Sequence, residues 1–362
     1  MLKLSIATAK GRRNTAGCIR LAVFFLFCLF GFSSCPANAS DNDGTRFPFV
    51  KNGGLYAFSA EADELAFEES FDTLGSNNGF IQKGVSVSQK SGWIIAWNKN
   101  NQTVYHIDEN KKVRSKVNAG GALAYVDKNY ILTQTSSFND NKGFGFTLYS
   151  IKYTRNEKKI SLKTVWSGYA DCFVSDCFFT ADGVCISGGT RDDTKNNAFY
   201  ITAKGIHKCF STAKNSDFLR LLNAGDKVYA FLSGREKTVV EPLLYSFTLN
   251  DYIEGDSAAQ NLSEMLPADF ECFFGYGFVM KTEAFEALVI PASFNGVISF
   301  VCYDYKNANI KSIIPDAVGC MSPLGTTADG VWYIARDALI EDSWYGISLF
   351  DGISCKKIQK IY

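Results

Sequence analysis

From about residue 45 onward, hydrophobic and polar positions mostly alternate with a period of two. Gly92-Trp93-Ile94-Ile95-Ala96-Trp97, Thr103-Val104-Tyr105-His106-Ile107-Asp108, Phe146-Thr147-Leu148-Tyr149-Ser150-Ile151 and Val331-Trp332-Tyr333-Ile334-Ala335 are examples. Each run is short, rich in β-branched and aromatic residues, and bounded by Gly, Asn or Asp, which predicts a strand. Helical periodicity is nearly absent. Its best candidate is a loop helix around Asp256 to Leu266, with Ser257 placed to cap it and Ala258-Ala259 favouring it. No amphipathic helix of about 10–15 residues separates one strand from the next, which excludes a chain of βαβ units. The pattern predicts an all-β protein.

The strands recur as a unit. A turn rich in Asp and Gly leads into a strong apolar strand, then comes another strand, a polar turn and a basic strand. The clearest pair of turns is Thr180-Ala181-Asp182-Gly183-Val184 and Thr327-Ala328-Asp329-Gly330-Val331, 147 residues apart. Weaker copies are Ala224-Gly225-Asp226-Lys227-Val228-Tyr229, Tyr125 to Tyr130 and Lys90 to Trp93. The second turn of the unit recurs at His106 to Val113, Lys152 to Ile160, Thr202 to Ile206, Tyr303 to Ile310 and Phe350 to Ile358. Full units begin near Gly79, Ala119, Tyr169, Asp217, Asp269 and Gly319, about 36 to 55 residues apart. That spacing suits four-stranded antiparallel sheets. One such sheet cannot cover both of its apolar faces, so successive sheets must stack around an axis.

On these repeats the chain, from about residue 45 to 362, resembles the bacterial β-propeller lipoproteins in the broad sense of the YVTN, quinoprotein-like and WD-repeat propellers. The likeness is one of architecture. No WD dipeptide closes a unit and no regular Trp docking pattern occurs, so no functional residue of those families maps onto this chain. The resemblance implies an all-β propeller of about seven four-stranded antiparallel blades. Arg46 to Val50, Leu55 to Ser59 and Leu65 to Glu68 would supply the seventh. The alternative is six blades with that N-terminal group as an outer clasp.

The first 40 residues set the address. A basic start carrying Lys3, Lys10, Arg12, Arg13 and Arg20 precedes an apolar run, Leu21 to Phe32, and then Ser33-Ser34-Cys35. That is the layout of an export signal. The run of 12 residues falls short of the roughly 20 that a membrane-spanning helix needs. Phe32-Ser33-Ser34-Cys35 resembles a lipobox with Phe32 where Leu is commonest, so residues 1–34 read as a signal peptide, Cys35 as the lipidated residue and residues 35–44 as a polar tether. The alternative is a soluble periplasmic product cleaved after Ala39, since Ala37-Asn38-Ala39 is an A-x-A site. Loss of the signal takes the net charge from zero to about −5. A mildly acidic, exported chain without a basic tract argues against nucleic-acid binding.

Candidate chemistry is sparse. Of 11 cysteines, eight lie beyond Cys35, mostly in or beside apolar strands. They read as buried thiols; export also permits one or more disulfides. No C-x-x-C occurs and no His sits at zinc spacing, so no metal or other cofactor is expected. The histidines, His106 and His207, share no motif and read as ordinary strand residues. No catalytic residue can be named. Two long polar loops interrupt strands, Ser136 to Gly145 and Gly189 to Asn197. Loops on a rigid ring commonly carry binding. Phe138 and Phe144 in the first, Asp192 and Asp193 in the second, and Trp344 with Tyr345 further on are the candidate contacts.

The expectation is therefore an exported, lipid-anchored binding or scaffold propeller of the bacterial envelope, periplasmic or surface-facing. Its partners would be the membrane, through Cys35, and an envelope or host protein. An exported propeller enzyme acting on glycan at the channel mouth and a purely structural envelope component are the alternatives.

Overall fold

Seven blades follow one another along the chain and close into a ring; among the described residues they make six sheets, because a parallel bridge of Ser233 with Phe273 joins the fifth and sixth blades into one of nine strands. The structure, a computed structural model, describes residues 46–51, 54–70, 81–83, 85–88, 92–97, 103–107, 113–120, 123–139, 142–153, 159–213, 218–233, 244–249, 259–273, 275–282, 285–315, 319–336 and 345–360. The signal, Cys35, the tether and Trp344 lie outside the described residues.

Blade 1 holds β1 (Arg46–Lys51), β2 (Gly54–Ser59) and β3 (Glu64–Ser70), with β4 (Ile81–Lys83) on the free edge of β1. Blade 2 holds β5 (Val85–Ser88), β6 (Gly92–Trp97), β7 (Thr103–Ile107) and β8 (Val113–Asn118). Blade 3 holds β9 (Leu123–Val126), β10 (Tyr130–Asn139), β11 (Gly143–Tyr153) and β12 (Ile160–Ala170). Blade 4 holds β13 (Phe173–Phe179), β14 (Gly183–Gly189), β15 (Lys195–Thr202) and β16 (Gly205–Ala213). Blade 5 holds β17 (Phe218–Ala224), β18 (Lys227–Ser233), β19 (Leu244–Phe247) and β20 (Gln260–Asn261). In blade 6, β21 (Phe270–Phe273) and β22 (Phe278–Lys281) share one partner, β23 (Glu286–Phe294), followed by β24 (Val297–Asp304) and β25 (Asn309–Pro315). Blade 7 holds β26 (Gly319–Thr327), β27 (Gly330–Arg336), β28 (Tyr345–Phe350) and β29 (Cys355–Lys360).

Every repeat whose turn lies among the described residues falls on a turn of this plan; the turns of the copies at 90–93, 106–113 and 152–160 lie outside them. The Thr-Ala-Asp-Gly copies join the first and second strands of blades 4 and 7. Their threonine does the folding work: Thr180 Oγ1 accepts from Gly183 N at 3.1 Å and Asp182 N at 3.3 Å, and Thr327 Oγ1 accepts from Asp329 N at 3.3 Å and Trp332 Nε1 at 3.0 Å. The second family joins third and fourth strands. There Asp304 and Asp351 accept backbone N–H groups two and three residues on, the Asx-turn chemistry that makes aspartate a turn residue.

The first strands of neighbouring blades adjoin, from β13 to β17 to β22 to β26, and so surround the axis. Second strands are buried on both faces, as in β14, β18 and β23, because a blade lies on either side of them. That is why Val331 to Ala335 is continuously apolar. Outer strands such as β25 show one solvated face. Blade packs on blade all the way round. Tyr125, Leu132 and Phe146 of blade 3 meet Val184 and Ile186 of blade 4. Phe278 and Phe300 of blade 6 meet Tyr333 and Phe350 of blade 7. Closure comes from Phe47, Phe49 and Phe58 of blade 1 against Leu324, Trp332 and Ile334 of blade 7. Among the described residues no strand pairs across this seam, and side chains meet there.

The N-terminal group forms a blade rather than the alternative clasp, since β1 pairs within its own sheet, Phe47 opposite Phe58. Two details differ from expectation. Of the expected loop helix, residues 256–258 lie outside the described residues, and the described part holds one 3-10 turn, Ser263–Met265, because Gln260–Asn261 is drawn into strand pairing with Tyr245 and Ser246. A two-residue turn at Asp182-Gly183, as the sequence suggests, would set Cys185 opposite Thr180. It faces Phe178 instead, because the turn residues are Ala181-Asp182, with Thr180 N closed on Gly183 O at 2.8 Å. Among the described residues, no helix is long and apolar enough to cross a membrane.

Candidate functional site

Two features stand out, and blades 3 and 4 contribute to both. The first is on a loop face. Antiparallel strands reverse direction, so the β10–β11 turn, the β12–β13 connection and the β14–β15 turn all emerge on the same side of the ring. There the two long loops of the sequence converge. Phe138 packs edge-on against Phe144, centroids 5.1 Å apart, and Phe144 against Phe173 at 5.5 Å. Arg191, from the second loop, lies over the Phe138 ring at 4.5 Å. Lys142 lies over Tyr169 at 5.5 Å. Asp171 Oδ1 accepts Arg191 N at 2.9 Å, which ties the blade 3–4 connection to the blade 4 loop.

The sequence placed the contacts one layer too deep. Phe144 is buried and Phe138 half-buried, whereas Phe173 is 50% and Tyr169 48% exposed. An aromatic at an alternating strand position looks like a core residue, so neither of these two carried a signal. Asp192 is exposed but engaged in its own turn: its Oδ1 accepts Thr190 Oγ1 at 2.6 Å and Thr194 Oγ1 at 2.8 Å. Those hydroxyls hold its carboxyl below the usual carboxylate range. Asp193 takes φ +60° at the bend. Tyr345 opens β28 opposite Arg336, far from this group in the ring order.

The second feature is at the axis. Asp176 on β13 is 1% exposed. Its Oδ1 accepts Cys177 N and its Oδ2 accepts Leu221 N, both at 2.8 Å. The second bond crosses from blade 4 to blade 5. Burial pushes this carboxyl up to about 7, against the opposing pull of Arg220 and the two backbone donors. Arg220 on β17 is 7% exposed. Its guanidinium donates through Nη1 to Ser175 O of blade 4 and stacks on Tyr276 of blade 6 at 4.0 Å. From blade 3, Tyr125 Oη donates to Val174 O at 3.3 Å and Gln134 Oε1 accepts Val174 N at 3.2 Å. None of these residues was singled out by sequence; a buried Asp and Arg on neighbouring blades have no spacing signature.

The histidines do not meet. His106 is buried in blade 2, edge-on to Tyr153; His207 in blade 4 donates Nε2–H to Leu249 O at 2.8 Å. Of the strand cysteines, Cys172, Cys185, Cys209, Cys302 and Cys355 are free thiols, and Cys177 is disulfide-bonded. Among the described residues no group of His, Cys, Asp and Glu is arranged to hold a metal ion.

No protein-family model matches the chain, and no curated protein matches it. Solved structures do. TolB from Acinetobacter baumannii matches with a TM-score of 0.45 and 10% identity over 96% of this chain and 69% of its own. A protein from Lactobacillus plantarum matches at 0.49 and 12% over 87% and 96%. An acylaminoacyl peptidase in complex with a peptidyl chloromethyl ketone matches at 0.47 and 11% over 84% of this chain. The chain spans about half of that peptidase, 48%. The propeller here follows from its own seven blades and the cluster that closes them.

Proposed function

We propose that this chain is an exported β-propeller, anchored to the bacterial envelope through a lipid on Cys35, that holds a protein partner on the loop face of blades 3 and 4. One observation carries the binding part: Phe173 projects half-exposed from a ladder of rings that continues inward through Phe144 to Phe138 under Arg191, and Tyr169, on the same side of the ring, stands half-exposed beneath Lys142. Aromatic side chains and arginine dominate interface hot spots because they bury large areas at low entropic cost. Exposed rings braced from below are pre-ordered for such a contact. The export reading rests on the basic start, the short apolar run and the small residues before Cys35.

The double variant Tyr169→Ala, Phe173→Ala tests the face. These are surface side chains, so stability should stay within about 0.5 kcal/mol of the parent. Affinity for a partner captured from envelope extract should fall at least about tenfold. Equal retention of the same partner by parent and variant rules the face out. Metabolic labelling with a fatty acid tests the anchor: label should enter the parent and be lost in Cys35→Ser. An unlabelled parent with its N-terminus at Ser40 would establish the soluble alternative.

A further inference from the structure

Four consecutive blades present polar or aromatic groups at one depth of the central wall. Tyr125 is the third residue of β9, Ser175 and Asp176 are the third and fourth of β13, and Arg220 is the third of β17. First strands all run the same way, so this level lies two to three residues, roughly 7–10 Å, inside the loop face. The break between β21 and β22 brings Tyr276 to the same place, over the guanidinium. Arg220 spans from Tyr276 in blade 6 to Ser175 O in blade 4, and so crosses the axial edge of its own strand.

Its charge is poorly matched. Among the described residues, buried Nε of Arg220 has no hydrogen-bond partner, and neither does buried Nε2 of Gln134. The two donors flank adjacent residues of one strand: Gln134 binds Val174 N and Arg220 binds Ser175 O. A buried charge or donor left unmatched costs free energy. The nearby carboxylate, Asp176, already accepts two backbone N–H groups. We infer that this wall is a binding site for a small oxyanion, a carboxylate or phosphate group entering from the loop-face mouth, held by Arg220 Nε and Gln134 Nε2. The site is separate from the partner face and does not depend on it.

Asp176 makes occupancy pH-dependent. It faces Arg220 from blade 5 and Tyr125 from blade 3, with Cys185 in its own blade; Tyr276 and Cys172 lie beyond, against Arg220 and Tyr125. Burial pushes Tyr125, Cys172 and Cys185 upward, so they stay neutral near pH 7. Asp176, held at about 7, gains a proton below that pH and stops repelling an anion.

Titration calorimetry of the purified mature chain tests the site, with sodium phosphate and sodium acetate as probes and sodium chloride at equal ionic strength as the control. Saturable binding of either probe, tighter at pH 6 than at pH 8, is expected. Arg220→Gln should weaken it about tenfold or more. Gln134→Glu keeps the acceptor for Val174 N and replaces the donor, so it should weaken binding similarly. It carries the test if Arg220→Gln does not fold. Which probe binds decides between phosphate and carboxylate. No saturable binding of either probe by the parent, or parental affinity in a folded variant, overturns the proposal.

Discussion

Replacing Trp332 with alanine is expected to destabilise the protein by roughly 3–5 kcal/mol, the range for removing a large buried aromatic. Trp332 is buried in β27, its ring 4.8 Å from that of Phe58, and its Nε1 donates to Thr327 Oγ1 at 3.0 Å. It therefore joins blade 7 to blade 1 and also holds the turn that starts its own strand. Among the described residues no strand pairs across this seam, so backbone hydrogen bonds there do not make up for lost side-chain packing. The seam is also tight: a Cβ on Gly325 would lie 2.2 Å from Phe47 Cε1. Gly325→Ala should thus be destabilising in the same direction, through overpacking rather than a cavity. Denaturant unfolding measures both. A loss below about 1 kcal/mol for Trp332→Ala would mean that the seam contributes little to holding the ring.

The second large effect is a slope of stability with pH. Asp176 titrates at about 7 when folded, against about 3.9 in an unfolded chain. Below pH 4 both states carry the proton. Between pH 4 and 7 the unfolded state loses it and the folded state keeps it, so stability falls by about 1.4 kcal/mol per pH unit from this group. The contribution is fully present below pH 4 and gone above pH 7. From pH 5 to pH 8 the loss is roughly 3 kcal/mol. Asp176→Asn should remove that slope. It should also cost about 1–3 kcal/mol at low pH, since its NH2 must face one of two donors, Cys177 N or Leu221 N. Denaturation curves at pH 5 and pH 8 read both terms. A parent and variant with the same pH slope would show that the carboxyl is ionised throughout.

Much of the ring was legible because its causes are local. Thr180 and Thr327 cap the same turn in two blades, and Asp304 and Asp351 the same later turn. Short-range chemistry of that kind repeats with the blade, so it shows in a single sequence. Strand positions followed for the same reason. The register of Cys185 and the fate of Gln260–Asn261 did not, because turn closure and edge pairing were decided by bonds to partners that the local pattern does not contain.

The two site features divide in the same way. Both loops were visible as polar interruptions, and Phe138 and Phe144 did meet there, but exposure belonged to Phe173 and Tyr169. Which side of a strand faces water depends on the neighbouring blade. Asp176 and Arg220 left no trace at all, since 44 positions separate them in the sequence and only the curvature of the ring makes them neighbours.

By itself, then, the order of residues determined period-two strands, their grouping in fours and the turns between them, all of which arise from contacts within a few dozen positions. Tertiary structure alone decided that blade 7 closes on blade 1 through Trp332 and Phe58, that Tyr169 and Phe173 are left at the surface, and that Asp176, Arg220, Tyr125 and Tyr276 share one wall. These are contacts between separate sheets, and their free energy exists only once the sheets have been bent around a common axis.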